Sequence, residues 1–189
     1  MRKTIVCLGI LALSASLSMA GLGWFQDYVI ISANGGASQY YWVGSDPGFG
    51  TQFDGHNFGT VSSLNITGSD FRYWSDTQDR GGGSFFVSID SGAANETPWA
   101  QTGPVGNDYQ GTWSGSQDLL SSLTAGVHTS HVWSKTWDTG SGQGDSWLNN
   151  GTANYNATFT VAAVPEPASL GLLGLALAGL AFYRRQRRS

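Results

Sequence analysis

Cysteine is all but absent. The single residue, Cys7, lies among the first ten of 189 residues, which excludes disulfides and cysteine-based metal sites for everything after it. Positive charge is also scarce in the body of the chain. Six of the nine Lys and Arg sit at the two ends, leaving Arg72, Arg80 and Lys135 within residues 21–163 against twelve acidic residues, a formal charge of −9. That balance argues against nucleic acid or anionic lipid as a partner of this middle part and fits polysaccharide or cations better. Leu/Ala-rich helical text is missing from the middle, and no internal repeat suggests a propeller or β-helix. A Gly-x-Ser-x-Gly elbow is absent as well.

What is present divides the chain into three: 1–20, 21–163 and 164–189. Arg2 and Lys3, an apolar run from Ile5 to Leu17, and small residues at Ser18 and Ala20 form a secretory signal peptide, with cleavage expected between Ala20 and Gly21. Signal peptidase is the partner this implies. Val164-Pro165-Glu166-Pro167 is followed by an uncharged stretch, 168–183, and a basic tail, 184–189. As a helix the sixteen residues 168–183 would rise roughly 24 Å at about 1.5 Å each, which approaches a ~30 Å hydrocarbon core once Tyr183 and the arginine stems snorkel. Arg184, Arg185, Arg187 and Arg188 would stay cytoplasmic as a stop. Pro167 disfavours helix at Glu166, so the tripeptide stays extended ahead of the inner-membrane helix.

This three-part layout resembles the PEP-CTERM sorting domain. The resemblance implies that an exosortase recognises Pro165, Glu166 and Pro167, removes the helix and releases the protein towards the surface of a Gram-negative cell. It also implies an association with exopolysaccharide.

The middle is written in aromatics and glycine. All eight tryptophans, six tyrosines and eight phenylalanines fall within residues 21–163, 22 of 143 positions. Period-two alternation predicts strands over Tyr28–Ile31, Gln39–Val43, Val61–Thr67, Phe71–Ser75, Ser84–Ile89, Tyr109–Trp113, Val127–Trp137 and Tyr155–Val161. Turns are expected at Asn34-Gly35-Gly36 and Gly68-Ser69, a short helix near Gln117–Leu123, and long loops over 46–57, 91–107 and 138–154. The run Leu123–His128 resembles turn-into-strand text of immunoglobulin-like and carbohydrate-binding sandwiches. The expected fold is all-β, an antiparallel β-sandwich of jelly-roll or immunoglobulin-like type.

Chemistry-bearing residues are sparse. Asp70, Asp76, Asp79, Asp90 and Glu96 adjoin turn signals, where Asp caps backbone rather than pairing across a groove. His128 and His131 would point to opposite faces of one strand and cannot share a metal. No cofactor and no metal site are expected; a structural calcium is the one ion that the oxygen-rich loops Asp138–Asp145 and Asp76–Asp79 could suit. On Val127–Trp137 the odd positions, with Trp133 and Trp137, read as the core face. Trp24, Trp42 and Trp74 are likewise assigned to the core. Trp99, Trp147, Trp113 and Tyr109 are the candidates for exposed rings on which sugar C–H faces would stack. Two functions follow: a non-enzymatic surface or matrix protein associated with exopolysaccharide, or a carbohydrate-binding module built on those four residues.

Overall fold

A computed structural model describes residues 22–44, 51–76, 80–140, 142 and 144–163. The expected signal peptide with Ala20 and Gly21, and the segment carrying Pro165, Glu166, Pro167 and the arginines 184, 185, 187 and 188, lie outside the described residues. The described part is all-β. Its strands are β1 (Leu22–Trp24), β2 (Tyr28–Ala33), β3 (Gln39–Trp42), β4 (Thr51–Gln52), β5 (His56–Val61) and β6 (Leu64–Ser75). They are followed by β7 (Arg80–Ile89), β8 (Asn95–Val105), β9 (Asp108–Asp118), β10 (Gly126–Asp138), β11 (Ser146–Leu148) and β12 (Tyr155–Val161). A 3-10 turn at Asn150–Thr152 is the one helical element among them. No helix among the described residues is long and apolar enough to cross a membrane.

The strands connect along one path that is nearly barrel-shaped. Its order is β4-β3-β2-β6-β9-β8-β7-β10-β12-β5, with β1 beside β6 and β11 beside β10. Two features curl it. First, β8 changes neighbour midway: Asn95–Trp99 pair with β7, and Ala100–Val105 pair with β9. A strand that switches partners in this way makes a corner. Second, the end strands β4 and β5 are consecutive in the chain and joined through Phe53-Asp54-Gly55. The Phe53 amide donates to Trp42 O at 2.7 Å, the Gly55 amide donates to Asn156 O at 2.7 Å, and the Tyr41 and Phe58 rings meet at 5.2 Å. Both end pairings, β3 with β4 and β12 with β5, are parallel, unlike the other ladders.

Most expected strands form, with longer bounds. Gly68-Ser69 is not a turn: β6 runs straight through it, and the pairing with β2 and β9 shifts register there. Gly68 serves close approach, since a Cβ would sit 2.9 Å from Trp113 O. The expected helix near Gln117–Leu123 is absent. β9 continues to Asp118, whose carboxylate accepts the Leu120 amide at 2.9 Å and opens a turn. The three expected loops contain β4, all of β8, and β11.

The largest departure is on β10, where the faces are reversed. His128, Ser130, Val132, Ser134 and Thr136 point into the core, while Trp133 and Trp137 face outward. The small hydroxyl residues are tolerated inside because each satisfies itself on a neighbour. Ser130 Oγ donates to Ala157 O at 3.2 Å, Ser134 Oγ to Ser84 O at 3.0 Å and Thr136 Oγ1 to Gly82 O at 3.0 Å. Their small volume leaves room for Trp99, whose indole nitrogen donates to Ser134 Oγ at 3.2 Å. Around it, Tyr73 and Tyr109 stack at 5.1 Å, and Phe71, Phe85 and Phe159 fill the core.

Glycine and tryptophan abundance turn out to be one phenomenon. A Cβ would lie 2.4 Å from Trp99 at Gly111, 2.3 Å from Trp74 at Gly23 and 2.4 Å from Trp113 at Gly115. Indoles lie over bare backbone, covering strand positions that have no side chain to pack.

Candidate functional site

The four aromatic candidates do not share one exposed face. Trp99 (5% exposed) and Tyr109 (3%) are core residues, because Gly83 and Gly111 leave a slot that the Trp99 indole fills and Tyr73 stacks on Tyr109. Trp113 is half-buried against Phe85. Trp147, on β11, is exposed at 46%. Of the tryptophans assigned to the core, Trp42 is buried and Trp24, Trp74 and Trp133 are half-buried. Trp137 is exposed at 36% because it lies on the outer face of β10.

Trp147 has company that sequence reasoning assigned elsewhere. Phe86 stacks on Trp133 (5.4 Å, 8°) and meets Trp147 at 5.9 Å, and Lys135 Nζ lies 5.2 Å from the Trp147 ring. Lys135 also pairs with Asp145 at 3.6 Å. The reversed face of β10 thus places a row of aromatic and polar side chains on the outside of the sheet.

Of the carboxylates expected at turns, Asp70 and Asp90 bond across to distant strands, and Asp79 lies outside the described residues. Asp90 accepts the Thr129 amide at 2.9 Å and pairs with His128 Nδ1 at 2.8 Å, while His128 Nε2 faces Thr124 O at 2.9 Å. These contacts lower the Asp90 pKa, through the His128 bond first, and raise that of His128, through the Asp90 bond first. His128 faces inward, and His131 faces outward against Asn156 Oδ1. Asp70 accepts two bonds from Gln110 Nε2, at 2.9 and 3.0 Å. In the 138–145 loop, Asp138 accepts the Gly140 and Gly144 amides at 3.0 and 2.8 Å, which leaves that carboxylate working as a turn brace. Among the described residues no group of three His, Cys, Asp or Glu could hold a metal ion.

The residue that sequence reasoning missed is Asp27. It sits between β1 and β2, in phase with the inward-facing Val29 and Ile31, and is 2% exposed. Its Oδ1 accepts the Arg72 amide at 3.1 Å. Burial, the dominant cause, pushes its pKa from 3.8 up to about 8; the Arg72 bond opposes this and nearby Asp70 adds to it. Asp27 lines a pocket of about 200 Å³ whose other walls are Trp24, Phe25, Trp42, Leu148 and Tyr155. Gly44 borders it, with a would-be Cβ 3.8 Å from Asp27 Oδ2. A second groove, about 300 Å³, is lined by Phe25, Arg72, Thr102, Asp108, Tyr109 and Gln110.

The last strand of the described residues, β12, ends at Val161. The model of the PEP-CTERM protein-sorting motif matches residues 163–188. The chain is a PEP-CTERM domain-containing protein. The motif implies an exported protein that exosortase processes. No curated protein and no solved structure matches the chain.

Proposed function

We propose that the chain is a non-enzymatic surface protein that associates with exopolysaccharide after release from the inner membrane. Signal peptidase cleaves between Ala20 and Gly21. The helix 168–183 then holds the protein in the membrane, with Arg184, Arg185, Arg187 and Arg188 on the cytoplasmic side. Exosortase recognises Pro165, Glu166 and Pro167 and frees the domain. The observation that carries this reading is the sorting-motif match, which begins two residues after the end of β12. Replacing Glu166 with Ala is expected to leave most of the protein full-length in the inner-membrane fraction, read by fractionation and immunoblot. Release of that variant at the normal level would sink the assignment.

A second reading, a carbohydrate-binding module, gains support from the outer face of the sheet. Trp147 and Trp137 offer exposed ring surface, half-buried Trp133 stacks on the buried Phe86 beneath, and Lys135 and Asp145 stand beside Trp147 for hydroxyl groups. Here the expected result is that the Trp147→Ala protein elutes earlier than the native one from a column of the host's own exopolysaccharide. Trp99→Phe, a core change, should leave elution unaltered. Equal elution of native and Trp147→Ala protein would remove this face from consideration.

A further inference from the structure

The pocket around Asp27 has a composition with a specific meaning. Its walls are four aromatic residues and one leucine, and its ionisable group is a carboxyl that is 2% exposed. Oδ1 of that carboxyl is used by the Arg72 amide, while Oδ2 accepts no hydrogen bond among the described residues and faces the Gly44 side of the pocket. The Arg72 guanidinium does not neutralise it, because that group is engaged by Gln26 at 2.9 Å and by Asp70 at 3.8 Å. A buried carboxyl with one oxygen unclaimed is costly unless something positive or hydrogen-bonding meets it.

We propose that this pocket binds a compact organic cation, a methylated ammonium ion, with Asp27 as its counter-charge and the aromatic rings of Trp24, Phe25, Trp42 and Tyr155 as its cage. The alternatives fit the lining less well. One carboxyl is far short of the six to eight oxygens that calcium takes. A sugar ring presents hydroxyls on all sides, and these walls carry no amide or second carboxyl to meet them. An anion would meet Asp27 itself. Aromatic faces attract a weakly hydrated cation within about 6 Å of their centroids, and the volume of about 200 Å³ admits a tetramethylammonium-sized ion. The acidic balance of the domain adds a long-range attraction for positive ligands.

Binding is linked to the ionisation of Asp27. The groups around it are Asp70 and Arg72 on β6, Tyr28 on β2, Tyr155 on β12 and, beside Tyr155, Asp54. With the pKa at about 8, the empty site is mostly protonated at pH 6 and mostly ionised at pH 9. A cation therefore displaces a proton at the lower pH and binds more weakly there.

The test is calorimetric titration of the chain, as isolated from its producing cells, with tetramethylammonium chloride, referenced to sodium chloride at equal ionic strength. Saturable binding is expected, with affinity at pH 9 at least about tenfold above that at pH 6. Asp27→Asn, which keeps an acceptor for the Arg72 amide, should lose it. Gly44→Ala should weaken binding while leaving the carboxyl in place, since its methyl enters beside Asp27 Oδ2, and it decides the question if Asp27→Asn fails to fold. Heats no different from sodium chloride at pH 9, equal affinity at both pH values, or native affinity in either variant would overturn the proposal.

Discussion

Exchanging Gly83 for alanine is expected to destabilise the fold by roughly 3 kcal/mol or more, the heaviest toll of any single added methyl group considered. The new Cβ would lie 2.0 Å from Lys135 O and 2.1 Å from Trp99 Cζ2. Neither neighbour can yield cheaply. Lys135 O is backbone of β10, which pairs with β7 along most of its length. Trp99 is held from three sides: Ser134 Oγ on its indole nitrogen, Tyr73 at 6.0 Å, and the bare backbone of Gly111. Gly81→Ala is the matched control, because its methyl meets the Thr139 side chain at 2.2 Å and that group can rotate away. Its cost should stay below about 1 kcal/mol. Urea unfolding of the two variants checks the order, and equal midpoints would show that the Trp99 slot is soft.

The second large effect concerns pH. Burial holds the Asp27 pKa at about 8 in the folded chain, against 3.8 for an ordinary aspartate. Below the lower value both the folded and unfolded chains hold the proton, and the residue costs nothing electrostatically. Between the two values the unfolded chain ionises while the folded chain does not, so stability falls as pH rises. Above about 8 both are ionised and the loss levels off. At about 1.4 kcal/mol per unit, the loss accumulated by pH 7 is on the order of 4 kcal/mol. Asp27→Asn should therefore raise stability at pH 7 by a few kcal/mol and flatten the slope between pH 4 and 8. Denaturant midpoints across that range read it directly. A native protein with no slope in this window would mean that Asp27 is ionised and matched in the fold. The Asp90–His128 pair tilts the same curve less, since Asp90 is half exposed and its charge is screened.

Much of the strand layout was legible because alternation and turn residues act locally. The limits of β2, β3 and β12 follow from Asn34-Gly35 and from Tyr155-Ala157-Phe159 facing the core. The failures share one cause, namely that a glycine signals both a turn and a close approach. Gly68 lies inside β6 and Gly82 and Gly83 inside β7, where their missing side chains admit a neighbour's backbone or an indole. Side-chain polarity misled in a related way on β10. Counting Trp133 as inward and Ser134 as outward is sound on average. In this fold Trp99 and Phe85 from other strands already fill the interior beside Ser134, so a small side chain is what fits at that position. Asp27 could have been found by extending the alternation of Val29 and Ile31 one step back, which places an acid on a core face. Its pocket could not, because the walls come from β1, β3, β11 and β12, and only the curled sheet brings them together.

The position of the last strand has a mechanical side. β12 is not at an edge: it is flanked along its length by β10 and β5, antiparallel on one side and parallel on the other. Tension applied beyond Val161 runs along the strand axis and loads both ladders in shear, so their hydrogen bonds must yield together instead of peeling one by one. Forced extraction is then governed by the unfolding rate rather than by the equilibrium stability. A domain tethered through such a strand can be tugged by whatever holds its tail and keep its shape.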